Sequence, residues 1–185
     1  MNWEQKRKLM HYGTAVIPII YFFTTKKEFL TIIGTALVAL LLFDLARISN
    51  KRFSGFIEKL LPGFVKESEK QSLLGASWLF LGAFATAFLF PQTITIIALL
   101  YSSLGDASAA LFGKAYGKHK LIGRRTIEGS LAFLGTCIII AFLVQEFIGI
   151  NTAARGAVAA TLAELMPFVD DNFSVPLIAA AVMVI

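Results

Sequence analysis

The sequence has 185 residues, of which 57% are hydrophobic and only 16% carry a charge. Its mean hydropathy is +0.73, whereas soluble domains hold roughly 45–50% apolar and about 25% charged residues. This balance excludes an ordinary soluble domain and predicts one membrane-embedded domain over 1–185. In so apolar a chain, the net charge of +5 predicts contact with lipid head groups or phosphates and not with nucleic acid.

Apolar runs divide the chain into candidate transmembrane helices, each of which needs roughly 17–25 residues to cross a bilayer. The basic and then apolar start has no convincing cleavage site, so it predicts a retained first helix. The sixth run is interrupted by Arg155 and Glu164, and the last is still apolar at Ile185, a pattern consistent with a natural protein that continues. Six or eight spans are open alternatives to the seven candidates, which are 11–24, 28–46, 73–90, 92–112, 127–148, 152–167 and 174–185.

Basic residues predict the orientation of these spans. With the N-terminus in the cytoplasm, 14 of the 17 basic residues fall in cytoplasmic segments, as the positive-inside rule requires. The 47–72 segment has apolar residues at helical spacing and predicts an amphipathic helix in the interface. The expected fold is therefore an all-α polytopic membrane protein with about seven transmembrane helices and one interfacial helix.

Asp106 and the loop that follows it concentrate polar chemistry at the cytoplasmic side of this topology. An ionisable residue inside a span is costly and indicates function, with a carboxylate paired to a loop Arg as the structural alternative. The 113–125 loop has three glycines and five Lys or Arg residues, which suits phosphates or lipid head groups. It is not a P-loop, because Gly113-x-x-x-Gly117-Lys118 is one residue short.

Further polar groups fall on the same side. Thr126 suits the N-cap of the fifth span, whose free amides can bind an anion. Asp170-Asp171-Asn172 offers hard oxygen ligands for Mg²⁺, although such residues also form turns. Since Asp106 meets this cluster in the topology, the pattern indicates a metal site. Asp44 and Arg47, spaced i,i+3, are expected to form a structural ion pair.

The order and spacing of four motifs resemble the CTP-dependent lipid-alcohol kinases, which include dolichol kinase, phytol kinase and yeast-type diacylglycerol kinase. That group is in turn similar to phosphatidate cytidylyltransferase. The resemblance covers nearly the whole chain, with one departure: Arg125-Thr126 stands where a Lys-Ser/Thr pair is expected. The compact ammonium charge of Lys is thus replaced by the planar guanidinium of Arg, whose donors form a fork. The motifs are Arg7-Lys8-x-x-His11, Gly105-Asp106-Ala107-x-Ala109-Ala110, Thr126-Ile127-Glu128-Gly129-Ser130 and Asp170-Asp171-Asn172-x-x-Val175-Pro176.

The resemblance implies phosphoryl transfer from CTP, with Mg²⁺, to a lipid alcohol such as diacylglycerol, a polyprenol or phytol. The active site would face the cytoplasm, from the plasma or inner membrane if the chain is prokaryotic. The implied metal ligands are Asp106, Asp170, Asp171 and Asn172. The candidates for the base, in order, are Asp106, Asp171 and His11. Contacts to the nucleotide phosphates are expected from Lys114, Lys118, Arg124, Arg125, Thr126, Glu128, Gly129 and Ser130.

Two alternatives remain beside the kinase. The enzymatic one is a cytidylyltransferase that makes a CDP-lipid from a lipid phosphate and releases pyrophosphate. The other is a small membrane transporter or lipid-binding scaffold, although transporters often carry internal repeats and this sequence shows none. Neither the identity of the lipid nor the oligomeric state follows from the sequence.

Overall fold

A computed structural model describes residues 13–62, 65, 67–123, 125–167 and 169–185. Regular structure in this part of the chain is helical, apart from an isolated bridge between Lys120 and Thr126. The all-α class is therefore confirmed. His11, Arg124 and the basic residues at the start of the chain lie outside the described residues.

The described helices follow the predicted apolar runs. A single 3₁₀ turn, Glu67–Glu69, lies between the third and fourth of them. In chain order they are α1 (Val16–Phe23), α2 (Lys26–Ser49), α3 (Lys51–Leu60), α4 (Gly75–Leu89), α5 (Gln92–Tyr116), α6 (Ile127–Leu143), α7 (Gln145–Ile148), α8 (Ile150–Glu164) and α9 (Asp171–Val184).

Local signals in the sequence explain where several helices begin. Thr25 and Glu28 form a capping box at the start of α2, in which each side chain bonds the backbone amide of the other residue. Thr126 caps α6, as predicted, by accepting a hydrogen bond from the Gly129 amide at 3.2 Å. The predicted 127–148 run is two helices, because the chain leaves helical geometry at Val144, with ψ 4°.

Among the described helices, α2 and α5 are long and apolar enough to cross a membrane. The apolar helices α4, α6 and α9 have 15, 17 and 14 residues. At about 1.5 Å per residue they reach roughly 21–26 Å, short of the ~30 Å hydrocarbon core. Seven complete crossings therefore remain a prediction.

The central element is α5, which contributes to two apolar clusters. One cluster joins its first half to α1, α2 and α4, and the other joins it to α6, α8 and α9. Alanines such as Ala157 and Ala160 are fully buried in the second cluster, because small side chains let helices approach closely. Cys137 is also buried there, as expected for a core thiol.

Apolar side chains on α2 and α3 face away from both clusters. Four large ones on α2 are at least 49% exposed, and α3 exposes Phe56 and Leu60 while it buries Ile57. The amphipathic helix expected within 47–72 is thus present as α3, and its placement in a membrane interface stays a prediction. The four exposed residues of α2 are Ile32, Val38, Leu42 and Leu45.

Asp44 and Arg47, near the end of α2, form the predicted ion pair, with Nη2 and Oδ1 2.8 Å apart. Both residues are almost completely buried. The Arg47 guanidinium also donates to the backbone oxygens of Glu69, Lys70 and Ser72. The pair therefore fixes the connection between α3 and α4.

Ser77→Ala tests this buried network at its edge. The Ser77 hydroxyl donates to Asp44 Oδ2 at 2.6 Å, and a hydrogen bond to a charged group contributes roughly 1.5–3 kcal/mol. We expect the variant to lose about 2 kcal/mol of unfolding free energy, measured by thermal unfolding of the purified protein in detergent. Thr35→Ala is the control, because the exposed Thr35 hydroxyl bonds only within α2. Equal stability of the two variants would contradict the prediction.

Candidate active site at the helix ends

A cavity of about 350 Å³ lies where α5, α6, α8 and α9 meet. Four separate parts of the sequence supply its walls, including the predicted Asp106, Lys114, Arg125 and Asp171. The structure thus brings together site residues up to 65 positions apart. The lining residues are Asp106, Ala109, Ala110, Gly113, Lys114, Arg125, Thr126, Gly129, Ser130, Glu164 and Asp171.

One wall is a face of α5. The lining positions on α5 follow Asp106 at three, four, seven and eight residues, the spacing of one helical face. Apart from Lys114, the lining positions that follow Asp106 are alanine and glycine, so this face is small and apolar. A narrow face of α5 that carries Asp106 therefore lines the cavity.

Glycines hold α5 and α6 close together beside the cavity. A Cβ on Gly129 would lie 3.1 Å from the Ala109 carbonyl oxygen and 3.4 Å from Gly113 Cα. Larger side chains here would force the two helices apart. The close approach places the first turn of α6, with its backbone amides, against the face that carries Asp106.

The connection between α5 and α6 is a short hairpin. The amide of Leu121 donates to the Arg125 carbonyl, and the amide of Ile127 donates to the His119 carbonyl, both at 2.9 Å. Gly123 turns the chain at φ 60°, a conformation that glycine adopts without steric cost. The hairpin places Arg125 directly before Thr126, the N-cap of α6.

Glu128 lies against this hairpin and outside the cavity lining. Its Oε1 is 2.7 Å from His119 Nδ1, and its carboxylate also accepts from the His119 amide. The carboxylate therefore positions the hairpin, which is a different contact from the predicted one with phosphate. Lys118 is exposed and likewise does not line the cavity.

Arg125 bridges two carboxylates from different helices. Its Nε lies 2.8 Å from Glu164 Oε1, and its Nη2 lies 3.2 Å from Asp171 Oδ2. Nη1 donates to the Met166 carbonyl at 3.4 Å. The arginine therefore connects the start of α6 to the end of α8 and the start of α9, and offsets the repulsion among Asp106, Glu164 and Asp171.

The predicted metal ligands divide into two pairs. Asp106 and Asp171 line the cavity. Asp170 instead caps α9 by accepting from the Asn172 amide at 3.1 Å, and it also accepts from the Asn172 side chain at 2.8 Å. Asp106 and Asp171 therefore face the cavity, whereas Asp170 and Asn172 bond to each other at the start of α9.

The described residues form no group of three or more His, Cys, Asp or Glu placed to hold a metal ion. Two carboxylates on one cavity nevertheless suit Mg²⁺, which usually keeps several waters and binds one or two carboxylates together with substrate phosphates. Asp106 and Asp171 therefore fit a magnesium ion that arrives with a nucleotide. The four-residue ligand set stays a prediction.

Glu164 is the cavity residue that the sequence analysis missed. It appeared there only as an interruption of the sixth apolar run. In the structure it is 5% exposed, pairs with Arg125, and accepts a hydrogen bond from the Ser130 hydroxyl at 3.4 Å. The cost of an ionisable residue in an apolar span, which singled out Asp106, also applied to Glu164.

Gly82→Ala tests how the start of α9 is positioned. A Cβ on Gly82, in α4, would overlap the Asn172 carbonyl oxygen and lie 2.9 Å from Phe173 Cα. That carbonyl has no intrahelical donor, because Pro176 lacks an N–H. We expect a loss of about 1–3 kcal/mol of stability from overpacking, measured by thermal unfolding.

The matched control is Gly135→Ala in α6, where a Cβ would meet nothing within 4 Å. Alanine favours a helix by about 1 kcal/mol over glycine, so this variant should be as stable as the original chain or more so. If Gly82→Ala behaved like the control, α4 and α9 would not pack as described.

Comparison with known proteins gives two distant likenesses. The chain is 27% identical over 186 residues to an uncharacterised protein of Rickettsia prowazekii, covering 95% of this chain and 91% of that protein. It is 23% identical over 161 residues to CTP-dependent diacylglycerol kinase 1 of Schizosaccharomyces pombe, covering 76% and 72%. No family model and no solved structure matches the chain. The second of these likenesses supports a distant relationship to a lipid kinase and is compatible with that activity.

Proposed function

We propose that the chain is a kinase that phosphorylates a lipid alcohol at the cytoplasmic face of a membrane, with CTP as the donor and Mg²⁺ as the metal. One observation carries this proposal: acidic, basic and helix-start residues from four separate segments meet in one cavity. The likeness to a protein named CTP-dependent diacylglycerol kinase supports the choice of donor and of acceptor class.

The chemistry of phosphoryl transfer suits this set of groups. A phosphoryl transfer asks a protein mainly to position the reactants and to neutralise charge. Lys114, Arg125 and the first turn of α6 offer positive charge and amides to a triphosphate. Asp106 and Asp171 would hold the magnesium ion, which when bound neutralises charge on the phosphate oxygens.

The acceptor hydroxyl has a route to Asp106 along α5. The neighbouring lining residues Ala109, Ala110 and Gly113 are small and carry no polar side chain, so a lipid head group can approach the carboxylate closely. Asp106 is therefore our first choice for the group that accepts the hydroxyl proton, with Asp171 as the second. Diacylglycerol is the acceptor we favour, and polyprenols and phytol belong to the same class.

The membrane placement is part of the proposal. α2 and α5 would cross the bilayer, and the shorter apolar helices would complete about seven spans with the N-terminus in the cytoplasm. Cavity residues Lys114 and Arg125 lie in or beside the basic 113–125 loop, which the positive-inside rule assigns to the cytoplasm. A prokaryotic chain would then work at the inner or plasma membrane as one catalytic domain over 1–185.

A two-way panel tests this function. Purified protein in lipid nanodiscs would be given CTP, ATP or GTP, with and without Mg²⁺, and diacylglycerol, undecaprenol, phytol or geranylgeraniol. We expect a phosphorylated lipid with CTP and Mg²⁺, and no product after chelation of the metal. Failure of every combination to phosphorylate a lipid would contradict the proposal.

A further inference from the structure

We propose that Glu164 is a positioning residue for Arg125, and that it orients the guanidinium toward the phosphates of a bound donor. The inference rests on the proposed function, because it assigns Arg125 to the triphosphate. Glu164 itself would touch neither the nucleotide nor the lipid. Its role is to hold the neighbouring arginine in one orientation.

The hydrogen bonds of Arg125 support this role. A guanidinium has five N–H donors in a rigid plane. One donor each on Nε, Nη1 and Nη2 meets Glu164, Met166 and Asp171. Nη1 and Nη2 each carry a second N–H that bonds none of the described residues, and these two terminal nitrogens form an edge of the guanidinium that a phosphate can bind bidentately.

Glu164 determines this orientation most strongly. Its contact to Nε is the shortest of the three, at 2.8 Å, and Nε is the atom nearest the aliphatic stem. The carboxylate is itself restrained, because it is buried and accepts from Ser130. A fixed acceptor at Nε sets the plane of the guanidinium before any ligand arrives.

The place of Glu164 in the fold argues against a purely stabilising role. It is the last residue of α8, where the helix dipole disfavours negative charge. Burial adds a desolvation penalty that an ion pair often does not fully offset. A carboxylate at this position is therefore unfavourable for stability, and because Arg125 keeps its contact to Asp171, loss of Glu164 should cost less stability than loss of Arg125.

The test measures phosphate binding directly and does not depend on lipid turnover. Isothermal titration of the purified protein with inorganic tripolyphosphate, and separately with CTP, would compare Glu164→Ala, Glu164→Gln and Glu164→Asp. We expect Glu164→Ala to weaken both ligands about tenfold, with a smaller fall in the unfolding midpoint than Arg125→Ala. Glu164→Asp, which keeps the charge on a shorter stem, should recover part of the loss.

A double-mutant cycle separates positioning from a general charge effect. In an Arg125→Lys background there is no guanidinium to orient. Adding Glu164→Ala should therefore weaken phosphate binding further by less than about twofold. Two variants at exposed positions outside the cavity are the matched controls and should bind like the original chain. Glu146→Gln removes a carboxylate charge, and Arg155→Lys replaces a guanidinium by an ammonium.

Three results would overturn the inference. They are unchanged tripolyphosphate binding in Glu164→Ala, weakening that is equally large with Lys at 125, and absence of tripolyphosphate binding by the original chain. A failure of the proposed kinase activity looks different: tripolyphosphate and CTP would bind with the expected dependence on Glu164, and no lipid would be phosphorylated.

Discussion

Asp106→Asn is expected to lower kcat/KM for phosphorylation of the lipid alcohol by about 10²- to 10³-fold, within the range of about 10²- to 10⁴-fold that a general base contributes. Asparagine keeps the size of the side chain and loses its charge and basicity. Asp106 lines the cavity with Glu164 and Asp171. The variant should therefore fold as well as the original chain, because it relieves like-charge repulsion.

Initial rates with CTP, Mg²⁺ and diacylglycerol would measure this effect, and thermal unfolding would show that the fold is intact. Asp170→Asn is the informative comparison, because Asp170 caps α9 and lies outside the cavity. Asparagine is also a good N-cap, so Asp170→Asn should lower the rate far less than Asp106→Asn. Equal losses would favour the four-ligand metal site expected from the sequence over the two-carboxylate arrangement of the structure.

Arg125→Ala should damage both stability and activity. It leaves Glu164 buried without its cation, and loss of one partner of a buried pair costs about 3 kcal/mol or more. It also removes the proposed contact to the donor phosphates, so we expect kcat/KM to fall by at least about 10²-fold. Unfolding midpoints and rates, measured on the same preparation, would give the two losses separately.

The double variant Arg125→Ala/Glu164→Gln distinguishes the two causes. Neutralising Glu164 removes the unpaired charge, so most of the lost stability should return while activity stays low. If activity returned together with stability, Arg125 would have only a structural role. Arg155→Ala, an exposed arginine on α8, is the control and should alter neither quantity.

Most of the fold could be predicted from the sequence because local signals mark the helices. Apolar runs located the cores of the helices, and the N-cap predicted at Thr126 marked the start of α6. Local signals did not give the lengths of the apolar helices. The break at Val144 shortens the fifth apolar run, so α6 has 17 residues.

The candidate site could be predicted only as far as topology brings residues to one side. That was enough to associate Asp106, Arg125 and Asp171. It could not show which residue of a consecutive pair faces a cavity, since that depends on the rotation of α9. The turn of Glu128 toward His119 and the approach of Glu164 to Arg125 arise from tertiary packing, which no local pattern encodes.

Transfer of label from two forms of the donor distinguishes a lipid kinase from a cytidylyltransferase most directly. Protein in nanodiscs with diacylglycerol and Mg²⁺ would receive CTP labelled either on the γ-phosphate or on the cytidine. We expect the γ-label to appear in the lipid and the cytidine label to stay in CDP. Parallel reactions with phosphatidate as acceptor would give a cytidylyltransferase its own substrate. Cytidine label in the lipid, with release of pyrophosphate, would contradict the kinase and establish a CDP-lipid synthase.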